Sequence, residues 1–246
     1  SGRFIAEGKL VVERLLASRY DVESLLLSER RLALLEEFAV PDATPVYVIA
    51  EEQARELTGF NFHAGVMACG LRGSELDVDD LCASLPPPTD GSAPRGSLFV
   101  ACPRMTDPDN LGSLIRLCRG FGVGALLLGH GCCDPFSRRT LRVSMGNAFE
   151  LPVIESPQLQ TDLLGLRDRY GFQLSATVLD GAALPLESVR RQPREILLLG
   201  NEADGLSEDW ISLCDRQLTI PMSAGVDSLN VSVAAGIFLH WLQRSG

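Results

Sequence analysis

The feature that most constrains the fold is a series of short apolar runs after residue 96, which alternate with segments of helical apolar spacing. Apolar runs without polar alternation are typical of parallel strands that are buried on both faces. The pattern therefore predicts a mostly parallel α/β sheet flanked by helices, whose ligands bind beyond the carboxyl ends of the strands. The predicted strands are Ser97–Cys102, Ala125–Gly129, Leu151–Glu155, Gln173–Leu179, Glu195–Gly200 and Gln217–Met222.

The N-terminal part has the pattern of a small α/β or α+β module. Helix-like runs at Gly8–Ser18 and Arg30–Phe38 alternate with strand-like runs at Ser24–Ser28 and Thr44–Ala50. A stretch rich in proline, glycine and small polar residues follows and is typical of a linker. We therefore predict an N-terminal domain over residues 1–75, a linker over residues 76–96 and a second domain over residues 97–246.

The chain has 246 residues, of which 46% are hydrophobic, as is typical of a globular protein. No apolar run reaches the roughly 18 residues that a membrane-spanning helix needs, and the N-terminus lacks the apolar core of a signal peptide. We therefore expect a cytoplasmic protein. The 7 cysteines include no Cys-x-x-Cys pair and the 3 histidines are widely separated, so we expect reduced, mostly buried thiols and no metal site.

The formal net charge of −10 argues against a polyanionic partner, because phosphate binding depends on positive charge. Net charge does not describe a local patch, however. The basic residues are 21 Arg and one Lys, Lys9, and Arg is the better residue for bidentate phosphate contacts and for stacking on bases. A GC-rich genome, which favours Arg codons, is an alternative explanation of the same bias.

A first polar segment follows the predicted strand Ser97–Cys102 and opens a helix that has Pro108 at its start. Asn110 lies near the helix N-terminus and Arg116 about two turns further on. If both residues are helical they need not share a face, so their cooperation requires Asn110 to belong to the irregular start of the helix. In the alternative interpretation Asn110 is a helix cap and Arg116 is a solvated surface residue.

A second segment lies directly after the predicted strand Glu195–Gly200, where Gly200 and Gly205 flank four residues. The glycines either let the backbone approach a ligand closely or form a simple turn. The carboxylate of Glu202, held at a strand end, has the chemistry to orient a cation or a hydroxyl group.

A third segment begins with Ile220 at a strand end, passes through a Ser-Ala-Gly loop and leads into an apolar helix. Asp227 or Ser228 is the predicted N-cap of that helix. Because the helix is apolar almost all round, it must be buried, either in a core or against a second subunit.

Together these segments resemble the motifs of the SpoU family of RNA ribose 2′-O-methyltransferases, within the knotted SPOUT superfamily. The resemblance covers residues 97–244, and the stretch from Phe4 to Val12 resembles the start of the ribosomal-protein-like domain that many members use to bind their substrate. The three motifs are Asn110-x-Gly112-x-x-x-Arg116, then Gly200-x-Glu202-x-x-Gly205, then Ile220-Pro-Met222 with Ser228-Leu-Asn-Val-Ser232.

The resemblance implies a homodimer whose mostly parallel sheet ends in a deep C-terminal trefoil knot, preceded by a small α/β substrate-binding domain. It also implies that S-adenosylmethionine binds in a bent form between the second and third motifs. The implied cofactor-binding residues are Leu199, Gly200, Asn201, Glu202, Gly205, Ile220, Met222, Ser228 and Leu229. The implied catalytic residues are Asn110, Arg116, Glu202, Ser228 and Asn230.

These residue types suit methyl transfer to a ribose 2′-hydroxyl, which is far too weak an acid to ionise at neutral pH. Arg116 is an unsuitable conventional base because a guanidinium stays protonated. We expect Arg116 to clamp the adjoining RNA phosphate and to lower the pKa of the hydroxyl group electrostatically. Three candidates are left open as the final proton acceptor: the phosphate, a water molecule and an unusually perturbed Arg116.

Two other classes of function remain for comparison. A noncatalytic RNA-binding or ribosome-assembly protein of the same fold is compatible with the acidic balance. A dinucleotide-dependent oxidoreductase would share the alternating strands and helices, but the sequence lacks Gly-x-Gly-x-x-Gly after a strand. Ribosomal RNA is favoured over transfer RNA as the substrate, and the candidate RNA contacts are Arg14, Arg19, Arg30, Arg31, Arg55, Arg138, Arg139 and Arg142, each of which has ordinary solvated surface as its alternative.

Overall fold

A computed structural model of the chain describes residues 2–53, 62, 64–74, 76–87, 97–201, 203–223 and 228–245. The strands are β1 Arg3–Glu7, β2 Val22–Ser28, β3 Val46–Ile49, β4 Val66–Leu71, β5 Leu98–Cys102, β6 Ala125–Gly129, β7 Val153–Ser156, β8 Gln173–Thr177, β9 Leu184–Pro185, β10 Glu195–Leu198 and β11 Arg216–Thr219. The helices are α1 Lys9–Leu16, α2 Leu34–Glu37, α3 Val78–Ala83, α4 Pro108–Gly120, α5 Arg138–Val143, α6 Leu159–Tyr170, α7 Glu208–Leu213 and α8 Val231–Arg244. Short 3₁₀ turns lie at Glu29–Arg31, Asn147–Phe149 and Leu186–Ser188.

The second part of the chain forms a seven-stranded sheet in the order β7-β6-β5-β10-β8-β11-β9, and every pairing in it is parallel. The predicted mostly parallel sheet is therefore confirmed. Several strands end earlier than their apolar runs, since β8 stops at Thr177 and β11 at Thr219. The apolar residues that follow leave the sheet and enter the loops at its carboxyl edge.

The sheet is buried because its two faces pack against different layers. Along β5, alternate side chains belong to different cores: Leu98, Val100 and Cys102 to one, Phe99 and Ala101 to the other. This follows from the two-residue period of a strand. The first core contains apolar residues of α4 and α8, and the second contains residues of α3 and α6. Because both faces of β5 are covered, the strand is apolar at every position and does not alternate with polar residues.

Part of the predicted linker, residues 76–96, is helical in the structure. Helix α3 places Cys82, which is 1% exposed, in the second core of the parallel sheet. Val78, Leu81 and Leu85 pack against the same core, at a spacing that leaves one apolar face on the helix. Residues 76–85 therefore pack against the parallel sheet and are not an irregular connection, while residues 88–96 lie outside the described residues.

The N-terminal sheet has the order β1-β4-β2-β3, with antiparallel pairs except for the parallel pair β2 and β3. Strands β1 and β4 are absent from the prediction. Strand β4 was missed because it contains Ala68 and Gly70, residue types that are depleted in strands. Tertiary packing explains the glycine: a Cβ at position 70 would lie 2.4 Å from the ring of Phe4. The ring occupies the space that a side chain would need.

An aromatic cluster joins this sheet to the second part of the chain. Phe4 and Tyr20 contact Phe136 and Phe149 with ring centroids 5.1 to 5.9 Å apart. Polar contacts surround the cluster: Arg14 Nη1 donates to the Met145 carbonyl at 2.8 Å, Arg72 pairs with Asp134, and Arg138 lies 3.5 Å from Glu7. The N-terminal sheet therefore shares a continuous core with the parallel sheet.

In the parts of the chain that the structure describes, every helix is too short or too polar to cross a membrane. Within those same residues, no group of three or more His, Cys, Asp or Glu side chains is arranged to hold a metal ion. All 7 cysteines lie within the described residues and are reduced thiols. Burial raises the pKa of the Cys82 thiol to about 11 and that of Cys214 to about 12, so both stay protonated at neutral pH.

The aromatic cluster predicts a large effect of Phe4→Ala on stability. Phe4 is 4% exposed, and its removal leaves a cavity between the two sheets, so the free energy of unfolding should fall by about 3 kcal/mol. The matched control is Ile5→Ala, the next residue of β1, which is 38% exposed and should cost about 1 kcal/mol or less. Urea unfolding followed by circular dichroism measures both; equal losses would contradict a core shared across the two sheets.

Candidate functional site

A cavity of about 850 Å³ lies at the carboxyl edge of the parallel sheet. Its volume falls within the range of roughly 300 to 1,000 Å³ that is usual for small-molecule sites. Loops that follow four strands, β5, β8, β10 and β11, contribute to its wall together with the first residues of α4 and α8. This is the place at which parallel α/β sheets bind ligands.

Most of the residues predicted for the site line this one cavity. They are Asn110 from α4, Gly200, Asn201 and Gly205 after β10, Ile220 and Met222 after β11, and Ser228, Leu229 and Asn230 before α8. Leu199 is 1% exposed and lies beneath the loop, where its N–H donates to the Ala101 carbonyl at 2.9 Å. Glu202 lies outside the described residues. Three segments that are far apart in sequence thus meet at one edge of the sheet.

A hydrogen bond between two asparagines joins the first and third segments. Asn230 Nδ2 donates to Asn110 Oδ1 at 2.9 Å, and Ser232 Oγ donates to the Asn110 carbonyl at 3.2 Å. Asn110 is 9% exposed, so its polar side chain requires such partners. The starts of α4 and α8 are therefore held together at the cavity wall.

Asn230 also begins helix α8, which corrects the predicted N-cap. Its Oδ1 accepts hydrogen bonds from the N–H groups of Ser232 at 2.9 Å and Val233 at 3.4 Å. The prediction of Ser228 as the cap was wrong, because the chain remains irregular through Ser228 and Leu229. Asp227, the other predicted cap, lies outside the described residues. At the start of α4 the cap is Asp107, whose Oδ1 accepts from the Asp109 N–H at 2.8 Å, and Asn110 is already helical.

The turn after β10 is tightly closed on itself. Asn201 and Gly205 exchange two backbone hydrogen bonds of 3.1 and 3.2 Å. The side-chain oxygen of Asn201 accepts from the N–H groups of Ala203 at 2.8 Å and Asp204 at 2.7 Å. Gly205 has φ of +68°, and a Cβ on Gly200 would lie 2.3 Å from the Gly205 carbonyl carbon. Both glycines are thus required by the turn itself, and Asn201 stabilises it.

Arg116 lies away from the cavity of its own chain. It lies six positions after Asn110 in α4, which is a rotation of about 240° beyond one full turn at 3.6 residues per turn. Its side chain is exposed, does not line the cavity, and has no hydrogen bond or ion pair within the described ranges. Cooperation of Asn110 with Arg116 was predicted to require Asn110 in the irregular start of the helix. Asn110 is helical, so the two side chains do not meet within one chain.

Ion pairs surround the exposed side of α4. Arg139 of α5 forms a bidentate pair with Asp109, with Nη2 and Oδ2 2.6 Å apart. This hydrogen bond lowers the pKa of the Asp109 carboxyl group, and the nearby charge of Arg142 contributes to the shift. One turn beyond Arg116, Arg119 Nη2 lies 2.6 Å from Glu150. Arginines on both sides of Arg116 are thus engaged by carboxylates.

Sequence reasoning missed several residues of the cavity wall. Arg104, Thr106 and Asp107 line it from the loop after β5, and Thr177, Val178 and Leu179 line it after β8. The available signal was their position, because residues 104–107 follow the predicted strand Ser97–Cys102 and residues 177–179 are the carboxyl end of the predicted strand Gln173–Leu179. Residue type alone did not single them out.

The profile of the SpoU rRNA Methylase family matches residues 97–240, which include every cavity-lining segment. The chain belongs to this family. An uncharacterized tRNA/rRNA methyltransferase of Mycobacterium tuberculosis is 36% identical over 98% of this chain and 81% of its own length. The 23S rRNA (guanosine-2′-O-)-methyltransferase RlmB of Acinetobacter baylyi is 29% identical over 86% of this chain and 83% of its own.

Solved structures of SpoU proteins have the same fold as this chain. The SpoU methyltransferase AviRb from Streptomyces viridochromogenes, in complex with the cofactor AdoMet, superposes with a TM-score of 0.79 at 25% identity, over 99% of this chain and 90% of AviRb. An AdoMet-bound rRNA methyltransferase from Sinorhizobium meliloti has a TM-score of 0.79 at 26% identity, over 99% and 87%. The SpoU chain described here therefore has the SPOUT fold, and its N-terminal sheet is included in both superpositions.

The tight turn after β10 predicts that Gly200→Ala destabilises this SpoU chain locally. The new Cβ would overlap the backbone of Gly205, and the strain should lower the free energy of unfolding by about 1 to 3 kcal/mol. Amide hydrogen exchange should accelerate at Asn201 and Gly205. Gly181→Ala is the matched control, since a Cβ there meets no atom within 4 Å. Unchanged exchange in the 200–206 turn would contradict the packing described.

Proposed function

We propose that this chain is an S-adenosylmethionine-dependent methyltransferase that methylates a ribose 2′-hydroxyl of RNA, with ribosomal RNA as its substrate. The observation that carries the proposal is the convergence of the three SpoU motif segments on one cavity at the carboxyl edge of the sheet. The 23S rRNA methyltransferase among its relatives and the two AdoMet complexes among its structural neighbours support the reaction and the cofactor. A cytoplasmic location would give the protein access to ribosomal RNA.

The cavity has the chemistry to hold S-adenosylmethionine, which supplies an electrophilic methyl group on a sulfonium. Leu206, Ile220, Met222 and Leu229 provide apolar contacts, which suit an adenine ring. The backbone of Leu199, Gly200, Ile220, Met222 and Leu229 would hold the adenine and ribose. Gly205, which has no Cβ, would let the methionine part approach closely, and Asn201, Glu202 and Ser228 would complete the site.

The asparagine pair would position the reacting groups. Asn230 presents its Nδ2 to Asn110 while its Oδ1 caps α8, so neither amide can rotate without losing a hydrogen bond. Such fixed amides would orient the target ribose with little entropic cost. Glu202 and Ser228 would face the same region, and Arg116 would clamp the adjoining phosphate and lower the pKa of the 2′-hydroxyl group.

We further propose that the active form is a homodimer in which Arg116 of one subunit reaches the cavity of the other. Arg116 is exposed and does not line its own cavity. Next to it, Leu117 contacts Gly236 of α8, with its Cδ2 3.6 Å from the position of a Cβ there. Helix α8 exposes Val233 (53%) and Ile237 (40%) one turn apart, an apolar stripe that suits contact with a second copy.

The remaining structural expectations belong to the same proposal. The chain segments around β10, β11 and α8 would form the deep trefoil knot. Residues 1–75 would act as the RNA-binding domain and residues 97–246 as the methyltransferase domain, with residues 76–96 between them. The shared aromatic core supports a fixed rather than a loosely tethered placement of the first domain.

Methyl transfer is the decisive test. The purified protein is incubated with radiolabelled S-adenosylmethionine and with separate pools of unmodified rRNA and tRNA. We expect label in the rRNA pool, and the labelled RNA should resist alkaline cleavage at the modified ribose. Arg116→Ala should reduce the rate about 100-fold or more, because transition-state charge stabilisation is lost. Arg119→Ala, on the same helix one turn away, should stay near wild type.

The outcomes separate the alternatives. Label in tRNA alone would replace the proposed substrate class while leaving the enzyme class intact. Cofactor and RNA binding without label in either pool would contradict the proposed activity. Normal turnover by Arg116→Ala would contradict the role of that residue.

The dimer is tested by breaking its proposed surface. Ile237→Asp should convert a dimer into a monomer in analytical ultracentrifugation and abolish transfer, since a charge would be buried without a partner. Leu32→Asp, at a residue 43% exposed in the N-terminal part, is the control and should remain dimeric. Mixing Arg116→Ala chains with Gly200→Ala chains should restore activity. In a mixed dimer the Arg116→Ala chain keeps an intact cavity, and the Gly200→Ala chain supplies Arg116 to it. Failure of every mixture would place Arg116 in the same chain as its cavity.

A further inference from the structure

The loop between β5 and α4 carries a positive charge at the cavity. Among the described residues that line the cavity, Arg104 is the one with a cationic side chain, whereas Asp107 and Asp204 carry negative charge. Arg104 is exposed. The motif comparison assigned it no role, because it precedes the first motif.

The backbone on both sides of Arg104 is anchored. The Pro103 carbonyl packs against Gly129, where a Cβ would lie only 2.5 Å from that oxygen. Met105 is fully buried, and its carbonyl accepts from the Cys133 N–H at 2.8 Å. Because Pro103 and Met105 are both held, the exposed side chain of Arg104 projects from a rigid position.

Arg104 has no hydrogen bond or ion pair with any residue that the structure describes. Three other arginines are engaged by carboxylates: Arg139 pairs with Asp109, Arg119 with Glu150 and Arg72 with Asp134. In a chain with 32 acidic and 22 basic residues, a guanidinium at a cavity wall that pairs with no described carboxylate is available for an external anion.

We propose that Arg104 binds an RNA phosphate next to the ribose that enters the cavity. The inference rests on the proposed function and adds a substrate-positioning residue to it. Arg104 and Asn110 line the same cavity, whereas Arg116 lies away from it. A guanidinium on an anchored backbone can form a bidentate phosphate contact with little loss of entropy, and so fixes the register of the strand.

Three variants and three measurements test the proposal. Arg104→Ala and Arg104→Lys are compared with Arg190→Ala, an exposed arginine that precedes β10 and so lies at the amino end of the sheet. Binding of an unmodified 23S rRNA transcript is titrated over a range of KCl concentrations. Binding of S-adenosylmethionine is measured by calorimetry without RNA, and methyl transfer gives kcat and the KM for RNA.

Arg104→Ala should raise the KM for RNA about tenfold, the effect of losing one charged hydrogen-bonded contact. It should reduce the salt slope of RNA binding by about one, as expected for one lost phosphate contact. Its affinity for S-adenosylmethionine should equal that of the wild type. Arg104→Lys should restore the salt slope but only part of the affinity, because an ammonium cannot form the bidentate contact. Arg190→Ala should match the wild type throughout.

An unchanged salt slope and KM in Arg104→Ala would overturn the proposal. Weakened S-adenosylmethionine binding with normal RNA affinity would also overturn it, and would assign Arg104 to the carboxylate of the cofactor. Absence of transfer by the wild type would count against the proposed function instead. The salt slopes of the wild type and Arg104→Ala would still decide whether Arg104 contacts phosphate.

Discussion

The burial of the central strands on both faces is the constraint on which the rest of the structure depends. β5 and β10 are entirely buried, with helices above and below them. A strand that is covered on both faces can offer polar groups only where it ends. Because all seven strands are parallel, their carboxyl ends share one edge, and the loops that leave that edge must meet. The cavity follows from this arrangement before any particular side chain is considered.

Local polar contacts then turn that edge into a defined wall. The turn after β10 closes through the backbone and side chain of Asn201, and the asparagine pair ties α4 to α8. The loop after β5 is anchored at Pro103 and Met105. Each of these contacts fixes the backbone of the cavity wall and does not fill the cavity. The space between the three segments therefore stays available to a ligand. The N-terminal sheet packs against the same core through its aromatic contacts.

The parallel sheet was more predictable from sequence than the N-terminal sheet. Continuous apolar runs identify parallel strands directly, and each of the six predicted runs overlaps an observed strand. β4 escaped prediction because Ala68 and Gly70 are poor strand formers, although packing against the ring of Phe4 makes a glycine necessary at position 70. α3 was taken as linker because its few apolar residues precede a proline-rich stretch. The N-cap at Asn230 was placed two residues early, since several residues there have the capping chemistry.

The sequence by itself determined six strands of the parallel sheet, the position of the motif segments after strands, and the residue types available for the chemistry. Those properties depend on local spacing and on the burial pattern of each run. Only the tertiary structure decided which side chains meet. It joined Asn110 to Asn230 across 120 positions, left Arg116 outside its own cavity, and placed Arg104 on its wall. Distances between residues far apart in sequence depend on how the layers pack, and no local pattern encodes that packing.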